Sequence, residues 1–222
     1  MRDPVYLTGS CNIDPASSWL FMTLPSAYSA ILGGGKSRRF GRDKALMSLD
    51  GQRIIDLLLG TLGGLFSQIF FISNVRDKFH GVDITTVADE IPNQGPLGGI
   101  YTALGAGNGE YCFVTACDTP FLSRDVIQAL WEEIEGEDIV VPQSQGMIEP
   151  LIGFYARRCR DDIATALRKG QRQIRSFWVD RDVRLVNLDD RFSPEYLQKA
   201  FWNINTAADY TIARKWFQEQ YA

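Results

Sequence analysis

Histidine is almost missing from this 222-residue chain; His80, flanked by Phe79 and Gly81, is the only one. A Ser-His-Asp or Cys-His triad therefore has nothing to be built from, and His80 reads as a surface residue. Cysteine is scarce too. Four occur, at positions 11, 112, 117 and 159, with no CxxC pair and no zinc-type spacing, so neither a zinc centre nor a disulfide framework is indicated. Cys112 and Cys117 sit in the apolar run YCFVTACD, where a free thiol behaves as a small hydrophobe and a reducing cytoplasm is expected. Long hydrophobic runs are absent. The N-terminal stretch Trp19 to Leu24 is far too short to span a bilayer, and Asp3 and Asp14 are wrong for a signal peptide. Positive charge is not in excess either. The formal charge of −4 argues against a nucleic-acid binder driven by counterion release, so a cytoplasmic protein without membrane or nucleic-acid partners is expected.

What remains is ordinary globular composition, 45% hydrophobic and 23% charged, enough for one α/β domain. Short apolar segments alternate with helical ones, the pattern of a mostly parallel central sheet with helices on both faces. Strands are expected at Tyr28 to Leu32, Gln68 to Ser73, Asp83 to Val87 and Tyr111 to Ala116. Further strands are expected at Ile139 to Pro142, Leu151 to Tyr155 and Val183 to Leu188. Helices are expected over Arg53 to Leu62, from the DEIPNQGPLGG loop through Ala106, from Ser123 through Glu135, and near Asp161 to Lys169. Asp50-Gly51 reads as a turn, and Thr206 with Asp209 as the capping box of a last helix. Its apolar stripe, Tyr210, Ala213, Trp216 and Phe217, is expected to face inward. Nothing divides residues 27–222, so they read as a single domain preceded by an extension, 1–26, of unassigned role. A chain starting at Met22 would suit such a domain, which makes Met1 to Phe21 an expected dispensable segment.

Three features carry chemistry. The first is LGGGKSRRFGRDK, directly after the first strand. Its glycines let backbone approach a ligand, while Lys36, Arg38, Arg39, Arg42 and Lys44 crowd cations that an anion or solvent must separate. A solvated basic loop is the alternative. Two familiar phosphate motifs fail here: a P-loop would need Gly at Ala30, and the dinucleotide fingerprint would need Gly at Arg38. The second feature is Asp118, just past the most apolar strand, where a carboxylate could hold Mg²⁺ or simply cap a turn. Asp89 is a second carboxylate at a strand end. The third is the pair Gly95-Pro96 and Gly98-Gly99, opening a helix whose N-terminus offers free N–H groups or only a tight turn.

In order along the chain, LxGGxSxRxGxDK, GPLGGI, CDTPFL and NxNTxxD resemble the molybdenum cofactor guanylyltransferases, which join GMP to molybdopterin. The resemblance runs from about Ala27 to the end, departing at Gly33 and Gly98, where that family usually has Ala. It implies a Rossmann-like nucleotidyltransferase fold, Mg²⁺ as cofactor, and GTP and molybdopterin as substrates, with molybdoenzyme-assembly proteins as further partners. Carried over motif by motif, it implies that Leu32, Gly33 and Gly34 bind the guanine nucleotide through backbone groups. Lys44 would contact phosphates, Asn74 the nucleotide, and Asp89 the guanosine part. Asp118 would bind Mg²⁺ and the triphosphate, with Asn205 as a second metal or phosphate ligand and Asn203 behind it. Arg38 would join Lys44 in covering phosphate charge, and the region around Glu149-Pro150-Leu151 would lie toward the pterin. The basic cluster Arg168, Lys169, Arg172 and Arg175 could serve the pterin phosphate or only a solvated helix end. The double glycines favour GTP over CTP, since a purine needs more room. Rival readings are a related cytidylyltransferase, another nucleotidyltransferase of the same fold, a P-loop ATPase, and a GTP-holding adaptor without turnover.

Overall fold

The computed structural model describes residues 23–33, 47–75 and 82–221, with side chains through 219. Gly34, Arg38, Lys44, His80 and the segment before Thr23 lie outside the described residues.

Two strands form the centre because every residue in them is buried: β1 (Ala27–Leu32) and β6 (Tyr111–Ala116). Strands buried on both faces read as continuous apolar runs. They pair in parallel with Leu32 opposite Ala116. On the other side of β1 lie β4 (Ile69–Ile72) and then β5 (Thr85–Val87), both parallel. Beyond β6 come β9 (Ile152–Ala156), β7 (Ile139–Ser144) and β10 (Val183–Asn187), giving the order β10-β7-β9-β6-β1-β4-β5. A short β8 (Met147–Ile148) pairs back on β7.

Chain order reverses at β1. From β1 the chain passes through α1 (Ile54–Leu62) to β4 on one side, and from β5 through α2 (Gly95–Ala106) back to β6 on the other. Right-handed crossovers then send α1 and α2 to opposite faces. The crevice outside the carboxyl ends of β1 and β6 is therefore a topological switch point, where open α/β sheets bind ligands.

The sheet is less uniform than its apolar pattern suggests. β9 is antiparallel to both neighbours, β6 and β7, although it lies inside the sheet. The helix expected through Glu135 stops early: α3 spans Arg124–Trp131, capped by Ser123, whose hydroxyl accepts from Val126 N. Glu132, Glu133 and Glu135 follow, and carboxylates are unfavourable at a helix C-terminus. They turn instead to Arg184 and Arg191. A further helix not expected from the sequence, α5 (Pro194–Ala200), begins at Ser193, which accepts from Tyr196 N. The remaining helices are α4 (Arg160–Arg168) and α6 (Ala207–Tyr221).

Asp50-Gly51 forms the turn of a small hairpin, β2 (Ser48–Leu49) and β3 (Gln52–Arg53), with φ of 46° and 94°. Positive φ at both central residues is the tight hairpin geometry that Asp-Gly supplies. The hairpin is latched to α6, where Tyr210 donates to Ser48 O at 2.8 Å and Arg214 Nε to Asp50 Oδ1 at 2.6 Å. Ala213 and Phe217 are buried, with Tyr210 and Trp216 half-buried beside them, so the predicted stripe faces inward. Cys112, Cys117 and Cys159 are free and buried. Burial pushes the Cys159 thiol up to about 12, which leaves it unreactive.

Candidate active site

The register of β1 and β6 brings the first two sequence features together. Leu32 pairs with Ala116, and Cys117 N donates to Leu32 O at 3.2 Å. Asp118 thus stands one residue beyond a bond to the strand end from which the glycine loop departs. Gly33 N donates to Ile72 O at 2.9 Å, so its amide belongs to the sheet and its carbonyl is what it can turn to a ligand.

The missing Cβ of Gly33 serves packing. A Cβ there would collide with three carbons of the Phe71 ring, Cε2 at 2.8 Å among them. Phe71 is fully buried, so its ring, rather than a ligand, fills the space that alanine would take.

Asn74 and Asp89 follow neighbouring strands, β4 and β5, and form a closed pair. Asn74 Nδ2 donates to Asp89 Oδ2 at 2.8 Å, and Asp89 N donates to Asn74 Oδ1 at 3.0 Å. Partial burial raises the Asp89 pKa, and the Asn74 hydrogen bond only partly offsets it. The next residue, Glu90, is clasped as well. Its N–H donates to Thr102 Oγ1 at 3.0 Å, and its carboxylate receives Arg160 Nη2 at 2.7 Å. Arg160 lies 4.2 Å over the Tyr101 ring. Phe71, Thr102, Glu90 and Arg160 therefore shape the site without having stood out in the sequence. Helix α2 begins close by, its Gly99 against Leu32 and no side chain capping its start, which leaves N–H groups available to an anion.

The NxNTxxD motif lands on Asp118. Ile204 N donates to Asp118 O at 3.0 Å, which sets Asn203 and Asn205 on either side of that contact. Asp209 holds the turn as the capping box predicts: its Oδ2 accepts from Asn205 N and Thr206 N at 2.9 and 2.7 Å, and its own N donates to Thr206 Oγ1 at 3.2 Å. Among the described residues, no three His, Cys, Asp or Glu side chains group as a metal cage.

Glu149-Pro150-Leu151 lies on the same rim, because Ile152 pairs with Thr115. Of the basic cluster, Arg168 turns back onto Thr165 at 2.9 Å and Arg175 lies 5.8 Å from the Trp178 ring. Leu32, Gly33, Asn74, Asp89, Asp118 and Asn205 thus share one edge of the sheet, whereas Gly34, Arg38 and Lys44 lie outside the described residues. No helix among the described residues is long and apolar enough to cross a membrane.

Comparison with known proteins gives a consistent result. Residues 29–184 match the MobA-like NTP transferase domain. A probable molybdenum cofactor guanylyltransferase of Carboxydothermus hydrogenoformans is 36% identical over 190 residues, covering 85% of this chain and 95% of that protein. The molybdenum cofactor guanylyltransferase of Desulfosudis oleivorans is 35% identical over 178 residues, covering 79% and 88%. The crystal structure of molybdopterin-guanine dinucleotide biosynthesis protein A from Archaeoglobus fulgidus superposes with a TM-score of 0.75 at 26% identity, covering 86% of this chain and 99% of that one.

Proposed function

Because the chain belongs to the MobA-like NTP transferase family, we propose that it transfers GMP from GTP to the phosphate of molybdopterin, releasing pyrophosphate and forming molybdopterin guanine dinucleotide. The observation that carries this reading is the pairing of Leu32 with Ala116 at the switch point. It gathers Gly33, the Asp118 carboxylate and, from the far end of the chain, the Asn203–Asn205 turn.

The chemistry needs little from side chains as acids or bases. A phosphate monoester is ionised at neutral pH and is already a nucleophile toward the α-phosphate. Alignment and charge cover are what remain to be supplied. We assign Asp118 to Mg²⁺ and the triphosphate, with Asn205 as a second ligand. One carboxylate together with substrate phosphates is how this small, hard ion is usually held. Bound there, Mg²⁺ would neutralise charge on the triphosphate and the departing pyrophosphate. Lys44 and Arg38, on the loop that leaves Leu32, cover phosphate charge as well. Asp89 holds the guanosine part, its carboxylate oriented by Asn74. The names of the relatives favour GTP over CTP.

The test is purified protein with Mg²⁺, molybdopterin and each of the four nucleoside triphosphates, read by product mass. The dinucleotide should form with GTP. Faster use of CTP would overturn the guanine assignment, and GTP binding without pyrophosphate release would make the protein an adaptor. Asp118→Ala should lower turnover at saturating substrates by about a thousandfold, the upper range for removing one preorganised charge stabiliser. Near-normal turnover would remove Asp118 from the reaction.

A further inference from the structure

From the end of β7 to the start of β9 the chain reads QSQGMIEPL. Gln145 and Gly146 adopt φ of 48° and 75°, which turns the chain back so that β8 pairs with β7. Glu149 follows with its backbone fixed at both ends: its N–H donates to Pro142 O at 3.2 Å, and its carbonyl accepts from Ile152 N at 3.1 Å. The half-buried side chain borders two cavities. One, of 340 Å³, is shared with Met147, Trp202 and Asn203. The other, of 130 Å³, is shared with Thr119, Ile174 and Asn203. Thr119, the neighbour of Asp118, lines the smaller cavity, and Asn203, next to the Ile204 that bonds Asp118 O, lines both, so the larger space is joined through the smaller one to where the phosphate chemistry is proposed to occur.

No described residue gives the Glu149 carboxylate a hydrogen bond or an ion pair. Burial raises its pKa and nothing offsets the rise. Half-buried at the wall of both cavities, the carboxylate presents two open acceptors, and a ligand bearing two adjacent N–H groups would complement them. The walls beside it suit a flat ring. Trp202 is fixed by donation from Nε1 to Asp209 O at 3.2 Å and by an edge contact with Trp216 at 5.0 Å. Met147 is 66% exposed, an adaptable, polarizable surface at the mouth.

We propose that Glu149 is the specificity carboxylate for the acceptor, receiving the 2-amino-4-oxo edge of a pterin ring in the cavity walled by Trp202 and Met147. The ring N3–H and the 2-amino group are parallel donors, and a carboxylate accepts both at once. This rests on the proposed function, since it assumes that the acceptor phosphate reaches Asp118 while its ring lies on the β7–β9 side. The guanosine part of GTP is assigned to the opposite side of Asp118, at Asp89, so the two substrates approach Asp118 from separate sides.

The test uses pterin itself, 2-amino-4-oxopteridine, and lumazine, its 2,4-dioxo analogue without the amino donor. Binding of each to the intact protein is followed by quenching of tryptophan fluorescence. Wild type should prefer pterin by about tenfold, the effect of one unmade hydrogen bond in a partly buried site. Glu149→Gln, which puts an amide donor against ring donors, should abolish that preference while leaving GTP affinity unchanged. In the dinucleotide assay the same variant should raise KM for molybdopterin by about 10- to 100-fold and leave KM for GTP in place, with Glu149→Asp recovering part of the loss. Equal affinity of wild type for pterin and lumazine would overturn the proposal, as would an unchanged preference in Glu149→Gln. If wild type makes no dinucleotide, the functional reading fails; if it does and Glu149→Gln keeps its KM for molybdopterin, only the present assignment fails.

Discussion

Adding one methyl group at Gly33 tests how the nucleotide edge of the sheet is packed. The side chain of Gly33→Ala would fall among Phe71 Cζ, Cε1 and Cε2, and Phe71 has no exposed surface into which to swing. Overpacking of a filled core costs about 1–3 kcal/mol, or a fall in Tm of about 2–4 °C per kcal/mol for a chain of this size. Phe71→Leu alone should also destabilise, by about 1–3 kcal/mol, because it opens a cavity. Together the two changes should offset each other, the methyl occupying space the ring has left. The double variant should therefore be more stable than the sum of the singles by at least about 1 kcal/mol, within the coupling range of residues in contact. Urea unfolding of the four proteins measures this. Additivity within about 0.5 kcal/mol, the behaviour of independent sites, would refute the claim that the ring occupies the missing Cβ position.

Two further outcomes follow from ionisable groups. Asp138 is nearly buried; desolvation raises its pKa, but donation from Asp182 N and from Arg158 Nε at 2.6 Å outweighs this and holds it below the usual carboxylate range. A depressed folded-state pKa gives stability that is present above the unfolded value, about 3.9, and is lost as pH falls through the folded one. Asp138→Asn should cost about 1–2 kcal/mol at pH 7, reduced by the partial exposure of Arg158. The gap to wild type should close below about pH 4; a gap independent of pH in urea titrations would contradict the assignment. Asn74→Ala should raise KM for GTP by about tenfold, as Asp89 loses its donor and its fixed direction. Without that donation the Asp89 pKa rises further, so the acid limb of kcat/KM should move to higher pH. An acid limb identical to wild type would mean that Asn74 does not act through Asp89.

The sequence made the strand ends legible because burial on both faces leaves an unbroken apolar signature. The expected strands Tyr28 to Leu32 and Tyr111 to Ala116 lie within a residue of β1 and β6, and Asp118 falls just past β6 as Asp89 does past β5. Chain direction was not legible. Leu151 to Tyr155 is equally apolar whichever way it runs, so the antiparallel placement of β9 came only from the structure. The meeting of Gly33 with Phe71 was hidden for another reason: residues 38 apart give no periodic signal of contact. Helix α5 had a signal that was available, a serine before Pro-Glu, but at seven residues it is too short for apolar periodicity to declare it. Glu149 was seen only as part of a region, since nothing in a sequence reports that a carboxylate is left without a donor.

The reversed strand has one more consequence. Had β9 run with its neighbours, residues 149–151 would have entered from the opposite border of the sheet, remote from Asp118. Inverting that single strand gives the cleft a left bank made by a strand's beginning and a right bank made by strand finishes. The two banks are tied to separate pieces of chain. Lengthening the Gln145–Gly146 bend would remodel the bank proposed for the acceptor while the Leu32–Ala116 alignment, on which the proposed triphosphate site rests, stays as it is.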